Sequence, residues 1–313
     1  MHAFTLFRYR VIICFVLPLT LTISLTGCYK EVDDLQLLQG PKLVVYSVIS
    51  PQDTVLTVRI TQSTPLFESA QTGGAVTNAS VRLSDGITSV ELAHRTKGIY
   101  TVTASRLAIL PDRTYFLTVT TPEGLRAEAT CKVPKRANDA ITQVQLDPIQ
   151  EELITGFFLS VEWQDAPGEG DHYRIFAKSP TLLRYTRQGP DQPDQIDTLH
   201  PRPIHFQQGE IYTQDAGKDG QKYRVAQGSF IAGSSINSKG QYIQLFERKF
   251  RLVLLTTDRA YYQYHQSLQR YEAANSDGNP DDPFAEPTLV FSNVEGGLGV
   301  FAAYQKYERE VTF

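Results

Sequence analysis

The chain has 313 residues and a formal charge of −4, from 30 Lys and Arg against 34 Asp and Glu. It holds no basic run or stripe, which argues against a nucleic-acid partner. Its length is that of about two domains, and its three cysteines are too few for a disulfide framework.

Residues 1–27 read as a leader. Arg8 and Arg10 form a positive n-region, the apolar run Val11 to Leu25 forms an h-region, and the small residues Thr26 and Gly27 precede Cys28. The run is shorter than the roughly 20 apolar residues that span a bilayer, and Pro18 interrupts it. A signal peptide is therefore expected rather than a membrane anchor. Leu25-Thr26-Gly27-Cys28 resembles the bacterial lipobox, in which the thiol receives a diacylglycerol and cleavage falls before the cysteine. Acyl chains contribute about 0.8 kcal/mol per buried CH₂, and more than one chain anchors stably, so a lipidated Cys28 would tether the chain to a membrane. Residues 28–41 form an acidic tether. Its Lys30, Glu31, Asp33 and Asp34 resemble the short signals that send Bacteroidota lipoproteins to the cell surface; a plain solvated linker is the alternative.

Residues 42–134 read as one β-sandwich. The runs "KLVVYSVIS", "TVLTVRITQ", "ASVRLSDG", "SVELAH", "GIYTVTAS", "RTYFLTVTTP" and "LRAEATCKV" are rich in Val, Ile, Thr and Tyr. Turn residues such as Ser84-Asp85-Gly86 and Pro122-Glu123-Gly124 punctuate them, a spacing that predicts an immunoglobulin- or transthyretin-like domain. The alternation Leu125, Ala127, Ala129, Cys131, Val133 puts Cys131 on a buried strand face, as a core thiol and not a nucleophile.

"PKRAND" at 134–139 is expected to be a linker, because Pro134 stops a strand and polar residues follow. A second β-domain over 139–313 begins with "AITQVQLDP", "GFFLSVEWQDA" and "HYRIFAKSP". Trp163 and Tyr173 flank the polar turn "QDAPGEGD" and resemble the second and third strands of a fibronectin type III module. Residues 186–222 are rich in Pro, Gly, Gln and Asp and predict a long, weakly structured insert, either functional or mobile, in which "PIHFQQGEIYTQ" could form a hairpin. "YIQLFERKFRLVLLTTD" predicts one long or bent strand. Asp258 can cap a helix over 259–274, on which Tyr261, Tyr264, Leu268 and Tyr271 share a face that packs on the sheet. Tyr262 and His265 lie off that face and are expected to be exposed. The expected fold class is all-β with one helix near the C-terminus, in two β-sandwich-like domains: immunoglobulin/transthyretin-like, then fibronectin type III-like with insertions.

The end of the chain carries a family resemblance. Asn293, Glu295-Gly296-Gly297-Leu298-Gly299 and Phe301, within "PTLVFSNVEGGLGVFAAYQ", resemble the end motif of the Bacteroidota lipoproteins of the DUF4249 family. "GPKLVVYSVISPQDTVLTVRITQSTPLFES" and "VTNASVRLSDG" look like that family's first three strands. The resemblance implies a two-part, β-rich outer-membrane lipoprotein whose genes often lie beside TonB-dependent receptors. It implies no catalytic residue. The glycine pair reads as a bend between strands, since no Lys and Ser/Thr opening a helix follow it as a phosphate loop requires.

Catalytic signatures are few. The chain has no G-x-S-x-G and no H-E-x-x-H, and its histidines after the leader stand at 94, 172, 200, 205 and 265. His200 and His205 alone make a poor zinc set. Carboxylate pairs for glycoside hydrolysis come from distant strands and have no sequence spacing. "SDGNPDDPFAEP" offers Asp277, Asn279, Asp281 and Asp282 to a cation, but Thr288 stands where an EF-hand needs its bidentate Glu.

Three readings follow. The first is a binding or accessory lipoprotein of TonB-dependent nutrient uptake, non-enzymatic and without a cofactor or metal. Its partners would be the outer membrane through Cys28, a TonB-dependent receptor and its companion lipoprotein. The second is a surface glycan- or peptide-hydrolase, and the third a structural or adhesive surface protein. For the first, Tyr185, Phe206, Tyr212, Tyr223, Tyr262 and His265 are the candidate contacts, on the insert and the helix.

Overall fold

The computed structural model describes residues 40–64, 74–135, 141–149, 156–168, 170–188, 193–231, 234–236, 242–244, 249–276 and 289–312. Residues 41–313 form one compact unit. The leader, Cys28, most of the tether, linker residues 136–139 and the acidic loop 277–287 lie outside the described residues.

In the first half, eight strands fall on the predicted runs: β1 (Leu43–Ile49), β2 (Val55–Gln62), β3 (Ser80–Ser84), β4 (Ser89–Glu91), β5 (Ala93–Thr96), β6 (Ile99–Thr103), β7 (Thr114–Thr120) and β8 (Arg126–Lys132). Period-2 patterning sets their burial: Leu56, Val58 and Ile60 of β2 are buried, while Val55, Thr57 and Arg59 are exposed. Cys131 is buried in the same core, and burial pushes its thiol pKa well up. The run "SVELAH" is not one strand. β4 pairs with β3 in the sheet β4-β3-β7-β8, whereas β5 pairs with β6 in a second sheet, and the chain crosses at the buried Leu92.

The second half holds β9 (Ile141–Pro148), β10 (Gly156–Gln164), β11 (His172–Gln188), β12 (Pro193–Ile204), β13 (Tyr212–Gln214), β14 (Lys222–Ile231), β15 (Ser234–Ile236), β16 (Tyr242–Gln244), β17 (Lys249–Thr257), helix α1 (Arg259–Ser276) and β18 (Gly297–Thr312). The expected weakly structured insert holds strand over 186–188, 193–204 and 212–214. β11 and β12 pair antiparallel from Ala177↔Ile204 to Gln188↔Pro193. Pro193, Pro201 and Pro203 are tolerated because β12 is the edge of its sheet, where the missing N–H leaves no ladder bond unmade. "PIHFQQGEIYTQ" is not a hairpin either: both its ends pair with β11, β12 near Ala177 and β13 near Tyr173. The expected long strand over 242–258 is two, β16 pairing with β15 and β17 entering the large sheet.

β18 decides the architecture. Among the described residues one nine-stranded sheet has the order β12-β11-β17-β18-β1-β2-β6-β5, with β13 also on β11. β18 runs parallel to β1 and antiparallel to β17, so the last strand of the second half completes the sheet of the first. The halves keep separate cores on one face of this sheet. Phe301 and Ala303 of β18 join the core under β3, β7 and β8, while Leu252 and Leu254 of β17 join Trp163, Tyr173 and Val161 under the sheet β14-β10-β9. On the opposite face Val253, Leu255, Val300 and Ala302 meet α1. Burial on both faces explains the unbroken apolar runs "LVLL" and "GVFAA", which have no alternation to read.

The glycine motif is the junction of these sheets. Residue 295 bridges Glu128 of β8, with Glu128 N–H donating to the Glu295 carbonyl at 3.0 Å and Glu295 N–H to the Glu128 carbonyl at 2.8 Å. Gly299 has φ +108°, and a Cβ there would lie 2.0 Å from the Val45 carbonyl oxygen of β1. Gly296 has φ +72°, and its Cβ would lie 2.4 Å from the Arg126 carbonyl oxygen of β8. Only glycine permits both the positive φ and the close approach. Asn293 completes the junction: its Oδ1 accepts from Phe301 N–H at 3.0 Å and its Nδ2 donates to the Phe301 carbonyl at 2.8 Å and the Thr130 carbonyl at 3.0 Å.

Candidate functional site

Helix α1 begins where the sequence places it. Asp258 Oδ1 accepts from Tyr261 N–H at 2.8 Å, filling one of the free donors of the first turn. Burial raises the Asp258 carboxyl pKa to about 7. The helix packs against β18, β11 and β13 of the large sheet, and both Tyr261 and Tyr262 are buried, so the covered arc is wider than the predicted stripe. Tyr262, expected to be exposed, is only 6% exposed; its ring lies 4.9 Å from His172, and Gln266 Nε2 donates to its hydroxyl at 2.8 Å. His265 is half-buried, stacked 6.2 Å from Tyr212 and tilted against Tyr261 at 4.2 Å. Of the predicted packing stripe, Tyr261 is buried but Tyr271 is 45% exposed, and its neighbours from 269 to 274 are exposed as well.

Arg174 of β11 organises this aromatic group. Its guanidinium sits 5.1 Å from the Tyr212 ring, 5.4 Å from Phe176 and 5.9 Å from Tyr261, and Nη1 donates to the Tyr261 hydroxyl. Among the described residues no carboxylate pairs with it, so ring faces solvate the charge. Burial, together with the Arg174 charge, pushes the His265 pKa down to about 4, leaving a neutral imidazole whose buried Nε2 has no partner.

The remaining candidates divide between clefts. Tyr223 and Tyr262 line one cleft of about 390 Å³ together with Thr213, Gln214 and Lys218. Phe206 and Tyr212 line another, of about 310 Å³, with Gln266 and Arg270. Tyr223 is half-buried and stacks on Trp163 at 5.5 Å, its hydroxyl donating to the Gln214 carbonyl at 3.1 Å. Tyr185 lies on β11 opposite Ile196; its side chain is outside the described residues, as is that of His200 on β12. The structure thus pairs Tyr223 with Tyr262 and Phe206 with Tyr212.

A polar group that sequence reading missed lies beside the first cleft. The β10–β11 turn, 165–171, and the β13–β14 turn, 215–221, are laced together. Gly220 N–H donates to Asp165 Oδ2 at 2.8 Å, Gly168 N–H to Asp219 Oδ1 at 2.9 Å, and Gly170 N–H to Asp215 at 3.0 and 2.8 Å. Asp165, Asp215 and Asp219 each offer an oxygen within 4.8 Å of the others, and they are the residues able to share a cation among the described ones. Burial and the charges of Asp165, Asp215 and Asp219 raise the Asp171 pKa to about 6. A cleft of about 520 Å³ connects Asp215, Gly170 and His172 to Arg259 and Tyr262 at the start of α1. The sequence held a signal for this pairing: Gln-Asp-Ala occurs at 164–166 and again at 214–216, each followed by glycines and a further acidic residue.

No curated protein matches the chain. Residues 30–310 match the model of the family described as Domain of unknown function (DUF4249), and the chain belongs to that family.

Proposed function

We propose that this chain is a lipid-anchored outer-membrane protein, displayed at the cell surface, that acts as a binding or accessory component of TonB-dependent nutrient uptake. The observation that carries the reading is Leu25-Thr26-Gly27-Cys28 in register with the end of the apolar run, followed at once by Glu31, Asp33 and Asp34. Family membership supports it through what the resemblance implies, namely neighbouring TonB-dependent receptors. The binding face is assigned to the clefts along α1. There the half-buried Tyr223 and Phe206 line the clefts among amide and charged groups, together with the buried Tyr262 and Tyr212, a mixture suited to a peptide or glycan segment.

Mass spectrometry of the mature N-terminus tests the anchor, and an acyl-modified Cys28 is the expected species. An unmodified terminus at another residue sinks the proposal. Protease treatment of intact cells tests display: replacing Lys30, Glu31, Asp33 and Asp34 with Ala should reduce cleavage, and equal cleavage would make the acidic stretch a plain linker. Crosslinking on intact cells followed by affinity capture should recover a TonB-dependent receptor from the parent strain and much less from Cys28→Ala. Equal recovery from both, or none from either, removes the uptake role.

A further inference from the structure

We propose that the two laced turns form a calcium site, with the carboxylates of Asp165, Asp215 and Asp219 as its protein ligands. The cluster is not an ordinary exposed acidic patch. Asp165 and Asp215 are each 2% exposed, and Asp165 Oδ1 is buried with no hydrogen-bond partner. A buried carboxylate oxygen left unpaired is costly, and gathering further carboxylates around it adds repulsion. Among the described residues no Lys, Arg or His forms an ion pair with any of the three. A bound cation removes both costs at once.

The donor set and its spacing favour a hard cation, and calcium among them. Ligands of one cation can be no further apart than twice the metal–oxygen distance. Calcium–oxygen bonds of about 2.3–2.6 Å allow separations up to roughly 5 Å, whereas magnesium at about 2.0–2.1 Å allows roughly 4 Å. The three oxygens lie within 4.8 Å of one another, a span that calcium–oxygen bonds accommodate, and calcium tolerates the irregular geometry of two turns better than magnesium, which demands a near-ideal octahedron. An all-oxygen donor set without His or Cys disfavours zinc and copper. Glycine N–H groups already hold the three carboxylates: Gly220 donates to Asp165 Oδ2, Gly168 to Asp219 Oδ1 and Gly170 to both oxygens of Asp215. These bonds orient the ligands as outer-shell donors do in known metal sites. Backbone carbonyls of the turns and water would complete the six to eight ligands that calcium takes.

The consequence is mechanical. One ion would tie the β10–β11 turn to the β13–β14 turn beside the cleft formed by Asp215, His172 and Tyr262, and so fix that cleft's rim. This inference does not rest on the anchor at Cys28. With only three carboxylate ligands, one of them exposed, weak binding at about 10⁻⁴–10⁻³ M is expected.

The test uses the purified full chain stripped with EDTA. Adding CaCl₂ to 10 mM should raise the Tm by about 3–5 °C, from mass-action stabilisation at roughly a ten- to hundredfold excess over Kd. MgCl₂ at the same concentration should give less than half of that. Terbium should luminesce on excitation of Trp163, two residues from Asp165, and calcium should quench the signal by displacement. Asp219→Ala removes the exposed ligand and should fold normally while weakening calcium at least about tenfold. Asp215→Asn should do the same; if it fails to fold, Asp219→Ala alone decides. Asp281→Ala/Asp282→Ala, in the other acidic loop, should bind like the parent. The proposal is overturned by a parent chain that shows neither a Tm rise nor terbium luminescence. It is equally overturned if Asp219→Ala binds as tightly as the parent, or if binding disappears with Asp281→Ala/Asp282→Ala instead.

Discussion

Replacing Gly299 by Ala tests whether the family motif is a folding element. Gly299 stands opposite Val45 in the parallel pairing of β1 with β18, which runs from Leu43↔Gly297 to Ile49↔Ala303. A Cβ at 299 would lie 2.0 Å from the Val45 carbonyl oxygen and 2.9 Å from its carbon, so backbone and not a flexible side chain must move. Relieving that overlap requires a separation of more than about 1 Å, enough to break about two ladder hydrogen bonds at about 1 kcal/mol each. The φ of +108° adds about 1–3 kcal/mol of backbone strain for a residue with a side chain. The expected loss is about 3–5 kcal/mol, or a fall in Tm of about 6–20 °C at 2–4 °C per kcal/mol. Two other glycines separate the contributions. Gly124 has φ +89° with open space around it, so Gly124→Ala should show the strain alone, about 1–3 kcal/mol. Gly74 has neither positive φ nor a neighbour within 4 Å, and Gly74→Ala should stay within about 0.5 kcal/mol of the parent. Urea and thermal unfolding of the four proteins give the comparison. If Gly299→Ala loses no more than Gly124→Ala, the close approach of β18 to β1 does not limit stability, and the reasoning fails.

Asn293→Ala removes three bonds to Phe301 and Thr130 and should cost about 2 kcal/mol by urea unfolding; a loss under about 0.5 kcal/mol would show that the motif's Asn is dispensable. The Asp258 carboxyl has a folded pKa of about 7, above its unfolded value of 3.8, so the native chain holds the extra proton between these values. The stability linked to that proton is complete below about pH 4 and is lost as pH rises through about 7. Asp258→Asn keeps a capping oxygen but does not titrate, so its Tm relative to the parent should be higher at pH 8 than at pH 5, and a pH-independent difference would contradict the shift. Cys131 is buried with its thiol pKa raised, so a thiol reagent should label it only in denaturant; rapid labelling of the native chain would place it at the surface.

Most of the first eight strands were legible because alternation is a local property: a strand with one face in a core and one in water writes period 2 into its own residues, as in Leu56, Val58 and Ile60, whereas β5, exposed at every residue, carried no such pattern and its separation from β4 was not read. The cap at Asp258 was equally local, since its bond to Tyr261 N–H spans three residues. Burial of Cys131 followed from the same patterning, and that of Trp163 with Tyr173 in one core agrees with the resemblance of their strands to a fibronectin type III pair. Pairing partners were not legible. Nothing local in "GVFAAY" selects β1, more than 240 residues earlier, as its parallel neighbour, and burial on both faces erased the alternation that would have oriented β17 and β18. The helix pattern told which residues share a face but not how wide an arc the sheet would cover, so Tyr262 went inward. The carboxylates met for the same reason. Asp165 and Asp215 sit fifty residues apart, and only the placement of their two turns side by side, fixed by the strands on either side, makes one site of them.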